Sequence, residues 1–188
     1  MTQKPTLRVL FLDIDGVLNS TDWIRRRPSR SEWASTMGIS PEMHAHDLEK
    51  WALRAFDPDA VQLLSDAVTK SNARVVISSS WRTAWPLTKL QRMLRYHGFE
   101  HQLLGATPDG AELRAAGGLF ETVSRGEEIS TWLAMLPDGM RVRWVVLDDD
   151  DVPGHEHCLV KVDPEWGLQE DHHKEIINLF NTTSREDE

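Results

Sequence analysis

Two aspartates one residue apart, Asp13 and Asp15, follow the apolar run Val9–Leu12 in the stretch VLFLDIDGVLNS. A run without polar interruption reads as a strand buried on both faces. Such a strand brings both carboxylates to one tip, where crowded acids either share protons or bind a cation. Two further apolar runs end in polar clusters. RVVISSSWR presents Ser78, Ser79 and Ser80, and WVVLDDDD presents Asp148, Asp149, Asp150 and Asp151. Oxygen donors with no Cys or His pattern beside them favour Mg²⁺ over zinc. Hydroxyls and free loop amides next to that ion suit a phosphate, and Gly16 lets backbone N–H groups approach it closely. One carboxylate can then attack phosphorus while another moves protons. Asp-x-Asp-Gly by itself is also a turn or a calcium-type loop. Its place after an all-apolar strand favours catalysis.

Three tips converge only if a sheet holds them. The pattern predicts strands over 7–12, 74–78, 102–105, 142–147 and 157–162, most of them dense in Val, Ile or Leu. Helical periodicity falls between them over 59–71, 86–97, 127–136 and 171–180. This alternation predicts an α/β, Rossmann-like fold, with a central parallel sheet of about five strands and helices on both faces. In such sheets sites form outside the carboxyl ends of the strands. Two stretches break the alternation, 20–56 and 107–124. The first is read as a small cap or flap inserted after the first strand of a single domain spanning 1–188, because loops this long are usually functional or flexible.

The 188 residues are 40% hydrophobic, enough for one compact core. Residues 148–188 hold 3 Lys/Arg against 13 Asp/Glu, whereas the rest of the chain is nearly neutral. That imbalance argues against a generic nucleic-acid coat with a broad basic face. No window approaches a membrane span, MTQKPTLRVL carries no signal-peptide pattern, and the lone Cys158 excludes an intrachain disulfide. A cytoplasmic protein with no membrane attachment and no obligate protein partner is expected.

The motifs DIDGVLN, ISSS, RGEEI and LDDD, in that order, resemble the four signatures of the haloacid dehalogenase (HAD) superfamily. The likeness is closer to the small HAD domains associated with RNA-repair proteins, through FLDIDGVLN, SSSWR, Thr107-Pro108, RGEEI, LDDD and Gly167-Leu168. The resemblance implies that Asp13 is the nucleophile that forms an aspartyl-phosphate. It implies that Asp15 is the general acid/base, with its backbone carbonyl on the metal. Asp148 would be the metal-binding acid and Asp149 the second acid of that motif. Ser79, or alternatively Ser78, would hold the phosphoryl group together with Arg125 and amides near Gly16. Arg125 stands where the family often has lysine, and a planar fork replaces a point charge there. Arg82 is a rival source of positive charge.

The expected activity is that of a Mg²⁺-dependent phosphomonoester hydrolase acting on a nucleotide or an RNA or DNA end. A sugar phosphate phosphatase and a non-catalytic phosphate- or RNA-binding module are the alternatives. Other features have plainer readings. His44-x-His46 and His155-x-His157 lack zinc-site spacing and read as exposed loop histidines. Cys158 reads as a structural residue in a buried strand. Arg25, Arg26, Arg27 and Arg30 read as a solvated helix face, with a phosphate-contacting lid as the sharper alternative. Trp23, Trp33, Trp51, Trp81 and Trp85 read as cap core or as base-stacking surfaces.

Overall fold

The structure, a computed structural model, describes residues 6–38, 52–115 and 123–182. Five parallel strands form one sheet in the order β3-β2-β1-β4-β5. They are β1 (Leu7–Leu12), β2 (Arg74–Ile77), β3 (Gly105–Ala106), β4 (Val142–Asp148) and β5 (Leu159–Lys161). The chain builds outward from β1 to β3, then returns to the far side of β1 for β4. The topological switch point, where ligands bind in open α/β sheets, therefore lies between β1 and β4.

The central strand explains why the sheet is covered on both sides. Leu10 and Leu12 enter one core with Val75, Ile77, Val145, Leu147 and Val160. Val9 and Phe11 enter the other with Val76 and Val146. The first face is covered by α3 (Pro58–Ser71), α5 (Leu87–Tyr96) and α8 (Glu170–Asn181), through Val61, Leu64, Leu90, Met93, Ile176 and Phe180. The second is covered by α7 (Arg125–Ala134), through Ile129 and Trp132, whose ring meets Phe11 edge-on at 5.3 Å. Shorter helices α1 (Thr21–Arg26), α2 (Arg30–Met37), α4 (Trp81–Ala84) and α6 (Gly110–Ala115) occupy the connections.

Several expected boundaries move for local reasons. β3 is shorter and later than 102–105, because Leu103 N–H is taken by the Gln91 side chain at 2.7 Å and cannot join the ladder. β5 loses its first residues to a 3₁₀ turn, Glu156–Cys158, so Cys158 is buried in that turn and not in a strand. Helix α7 starts at Arg125, not Glu127, because Ser124 caps it in a capping box closed by Glu127. His155 is not an exposed loop residue. It is 4% exposed, and its Nε2 lies 3.1 Å from the Gly126 carbonyl while Trp144 Nε1 donates to its Nδ1. Burial holds its pKa below the ordinary value, and the neutral ring staples β4 to α7.

His44, His46 and Trp51 lie outside the described residues, as does the end of the tail beyond 182. No helix among the described residues is long and apolar enough to cross a membrane.

Candidate active site

Strand register assembles the site. Leu12 pairs with Leu147 on one side and with Ile77 on the other. The next residue of each strand is therefore Asp13, Asp148 and Ser78. Asp13 N–H donates to Leu147 O at 2.9 Å and Ser78 N–H donates to Leu12 O at 2.8 Å, so the three tips stay in step. Asp13 and Asp148 are 5% and 1% exposed. Oxygens of Asp13, Asp148 and Asp149 lie within 4.8 Å of one another.

Such crowding leaves its mark on the acids. Burial, with Asp148 adding repulsion and Arg125 and Ser79 opposing, pushes the Asp13 carboxyl up to about 7. Burial also raises Asp148 and Asp149 above the ordinary carboxylate range. Asp148 Oδ2 is buried without a hydrogen-bond partner among the described residues; Arg125 Nε stands 3.6 Å away, an ion pair too long for a hydrogen bond. A buried anionic oxygen without a hydrogen-bond donor is costly, and a divalent cation with oxygen preference fits the three carboxylates.

Arg125 supplies positive charge. Its Nη1 lies 3.2 Å from Asp13 Oδ1, so one fork spans Asp13 and Asp148. Sequence explains the placement. Ser124 fixes the helix start, and a Cβ on Gly126 would lie 1.9 Å from the Pro153 carbonyl. Only glycine lets α7 approach the loop after β4 this closely. The rival Arg82 is committed elsewhere. Its Nη2 pairs with Glu128 at 2.7 Å, with both side chains mostly buried, and its Nη1 donates to Ser79 O at 2.5 Å. Arg82 ties the serine turn to the helix that carries Arg125.

The two candidate serines differ in their surroundings. The Ser79 hydroxyl favours the charged form of Asp13 and accepts from Trp81 N–H at 3.5 Å. The Ser78 hydroxyl is buried without a partner among the described residues, and so is the Thr107 hydroxyl. Thr107 follows β3, with its N–H on Ile77 O at 2.9 Å, and the polar end of the sheet thus holds one more hydroxyl than the serine motif indicates. Gly16 has φ +70°, and a Cβ there would lie 2.3 Å from Asp149 Oδ2. Its loop is locked from the far side, where Leu168 N–H donates to Val17 O at 3.0 Å and a Cβ on Gly167 would lie 2.7 Å from that carbonyl.

The Asp15 side chain is not part of the carboxylate group at the metal-fitting position. It turns toward Asn19 Nδ2 at 2.7 Å and Trp81 Nε1 at 2.8 Å. Trp81, expected as core or stacking surface, is thus a polar partner of the second aspartate. An indole N–H next to a serine turn was the only hint in the sequence.

A cavity of about 770 Å³ adjoins the site, with Ser80, Arg82, Asp109, Arg125, Glu128 and Asp148 in its wall. No described residue of 20–56 lines it. Two arginines of that insertion are turned to other partners: Arg25 pairs with Glu165, and Arg26 with Asp22 and Asp57 at 2.8 and 2.6 Å.

Neither a curated protein nor a solved structure matches the chain. A family model described as the HAD domain in Swiss Army Knife RNA repair proteins matches residues 9–173. That span contains the aspartate pair, the serine turn, Arg125 and the LDDD tip, and the family supports a hydrolase of phosphatase type in general. The chain belongs to this HAD domain family.

Proposed function

We propose that the chain is a Mg²⁺-dependent phosphomonoesterase that works through an aspartyl-phosphate. The observation that carries this reading is the Asp13–Asp148–Asp149 group spanned by Arg125 at the switch point of the sheet. Mg²⁺ would be held by Asp13, Asp148 and Asp149, with the Asp15 carbonyl as a further ligand, and would neutralise charge on the phosphoryl oxygens. Asp13 attacks phosphorus, its Oδ–P bond forming as the ester P–O bond breaks. Asp15 donates a proton to the departing oxygen, then takes one from the water that hydrolyses the acyl phosphate. Arg125, the unpartnered Ser78 hydroxyl, Ser79 and amides near Gly16 hold the phosphoryl oxygens. Phosphoryl transfer asks little more of a protein than such positioning and charge.

For substrate, the family description supports a nucleotide or a polynucleotide-end phosphate. We place the leaving group in the adjoining cavity, whose Asp109, Asp150 and Asp151 suit the hydroxyl and amino donors of a sugar and base. The 20–56 insertion is read as a small cap on a single domain. The test is phosphate release from 3′- and 5′-phosphorylated oligonucleotides, mononucleotides and sugar phosphates, with Mg²⁺ and with EDTA. Release from nucleotide or oligonucleotide substrates only with Mg²⁺, and none by Asp13→Asn, is expected. Activity that survives Asp13→Asn rules out the covalent step, and preference for a sugar phosphate overturns the substrate assignment.

A further inference from the structure

The hydrogen bonds on Asp15 distinguish its two oxygens. Oδ1 accepts from Asn19 Nδ2 at 2.7 Å and from Trp81 Nε1 at 2.8 Å. Among the described residues, Oδ2 has only the Ser80 hydroxyl, at 3.4 Å. An oxygen that already accepts two N–H bonds has no room for a proton of its own. Asn19 and Trp81 also differ in stiffness. Asn19 sits on the same loop, bridged to Asp15. Trp81 comes from another strand tip, and its indole has one donor in one fixed direction.

That indole is itself held. Trp81 packs on the main core, and its ring centroid is 5.2 Å from that of the fully buried Phe56. Asp57 N–H, next in the chain, donates to Leu18 O at 2.7 Å, so Phe56 is pinned to the loop that carries Asp15. Asp15 is exposed, and an exposed carboxylate without such a brace rotates freely about its side-chain torsions.

We propose that Trp81 is a positioning residue for proton transfer: its N–H, with that of Asn19, occupies Asp15 Oδ1 and leaves Oδ2 as the oxygen that gives and takes the proton. The inference rests on the phosphatase reading above. As the P–O bond breaks, the Oδ2–H bond breaks with it and the proton passes to the departing alkoxide. In the second half the same oxygen takes a proton from attacking water.

The step matters most for leaving groups that cannot depart as anions, which separates this role from a structural one. With Mg²⁺, kcat/KM is measured for a simple alkyl phosphate, whose alkoxide needs the proton, and for p-nitrophenyl phosphate, whose phenolate does not. Trp81→Phe keeps the ring packing and removes the N–H. It is expected to lose roughly 10- to 100-fold on the alkyl ester, part of the roughly 100- to 10,000-fold that general acid catalysis contributes, and less than about threefold on the aryl ester. Asn19→Ala removes the other donor to the same oxygen and is expected to show the same selectivity. Phe56→Leu, which loosens the packing that aims the indole, is expected to show the same selectivity to a smaller degree. Equal losses on both esters in Trp81→Phe and Asn19→Ala, or a gain on the alkyl ester, overturn the role of Trp81 while leaving the phosphatase reading in place. A wild-type protein that, with Mg²⁺, cleaves neither ester and none of the phosphorylated nucleotides, oligonucleotides and sugars above overturns both.

Discussion

Replacing Asp13 by Asn is expected to stabilise the metal-free protein, and to do so increasingly as pH rises toward the folded-state value of the carboxyl. The folded state holds the Asp13 carboxyl at about 7 against an ordinary 3.8, with burial as the main cause. A folded-state pKa raised in this way contributes stability at acid pH that is lost as pH rises through the folded value. One pKa unit corresponds to about 1.4 kcal/mol. By pH 5 the unfolded chain has already released most of this proton, so about 2 units of linkage remain between pH 5 and pH 8, or about 3 kcal/mol. Relaxation of the site and the coupled Asp148 absorb part of this, leaving about 1–3 kcal/mol, which for a chain of this size is roughly 3–10 °C in Tm. The assay is thermal unfolding of wild type and Asp13→Asn in EDTA at pH 5 and pH 8. The variant should gain more over wild type at pH 8 than at pH 5. Added Mg²⁺ should raise the Tm of wild type and largely fail to raise that of the variant. A variant no more stable than wild type at pH 8, or a gain of the same size at both pH values, would refute the picture of a buried charge held for a cation.

Two further outcomes follow from the same geometry. Arg125→Ala leaves Asp13 and Asp148 without their shared cation, and kcat at saturating Mg²⁺ should fall about 100- to 1000-fold, the usual cost of losing one preorganised charge stabiliser; Arg125→Lys should recover only part of this, because an ammonium cannot span both acids as the fork does. Gly16→Ala would put a Cβ 2.3 Å from Asp149 Oδ2 on a residue with φ +70°. It should cost about 1–3 kcal/mol in chemical denaturation and weaken Mg²⁺ binding about tenfold, read from the dependence of Tm on Mg²⁺.

Much of the site was legible because its chemistry is local. Asp13, Asp15, the serines and Asp148 each follow an apolar run directly, and the periodicity of those runs marks them as strands without any knowledge of the fold. The helices were legible for the same reason, with errors at ends where one side chain decides the boundary. Gln91 shortens β3 by taking a backbone N–H, and Ser124 lengthens α7 by capping it.

By itself, then, the sequence determined which residue types stand at the strand tips and in what order, since short-range patterning sets both. Only the tertiary structure decided who faces whom. The β1–β4 register placed Asp13 beside Asp148. The close approach of α7 at Gly126 brought Arg125, and not Arg82, over them, while the buried Glu128 claimed Arg82. Packing on Phe56 aimed the Trp81 N–H at Asp15, and the β4–α7 contact buried His155 in a position its loop spacing did not reveal. These choices depend on contacts between residues far apart in the sequence, such as the 112 positions between Arg125 and Asp13. Such contacts are selected by how whole faces of the sheet and helices fit together, which no local pattern of residues encodes.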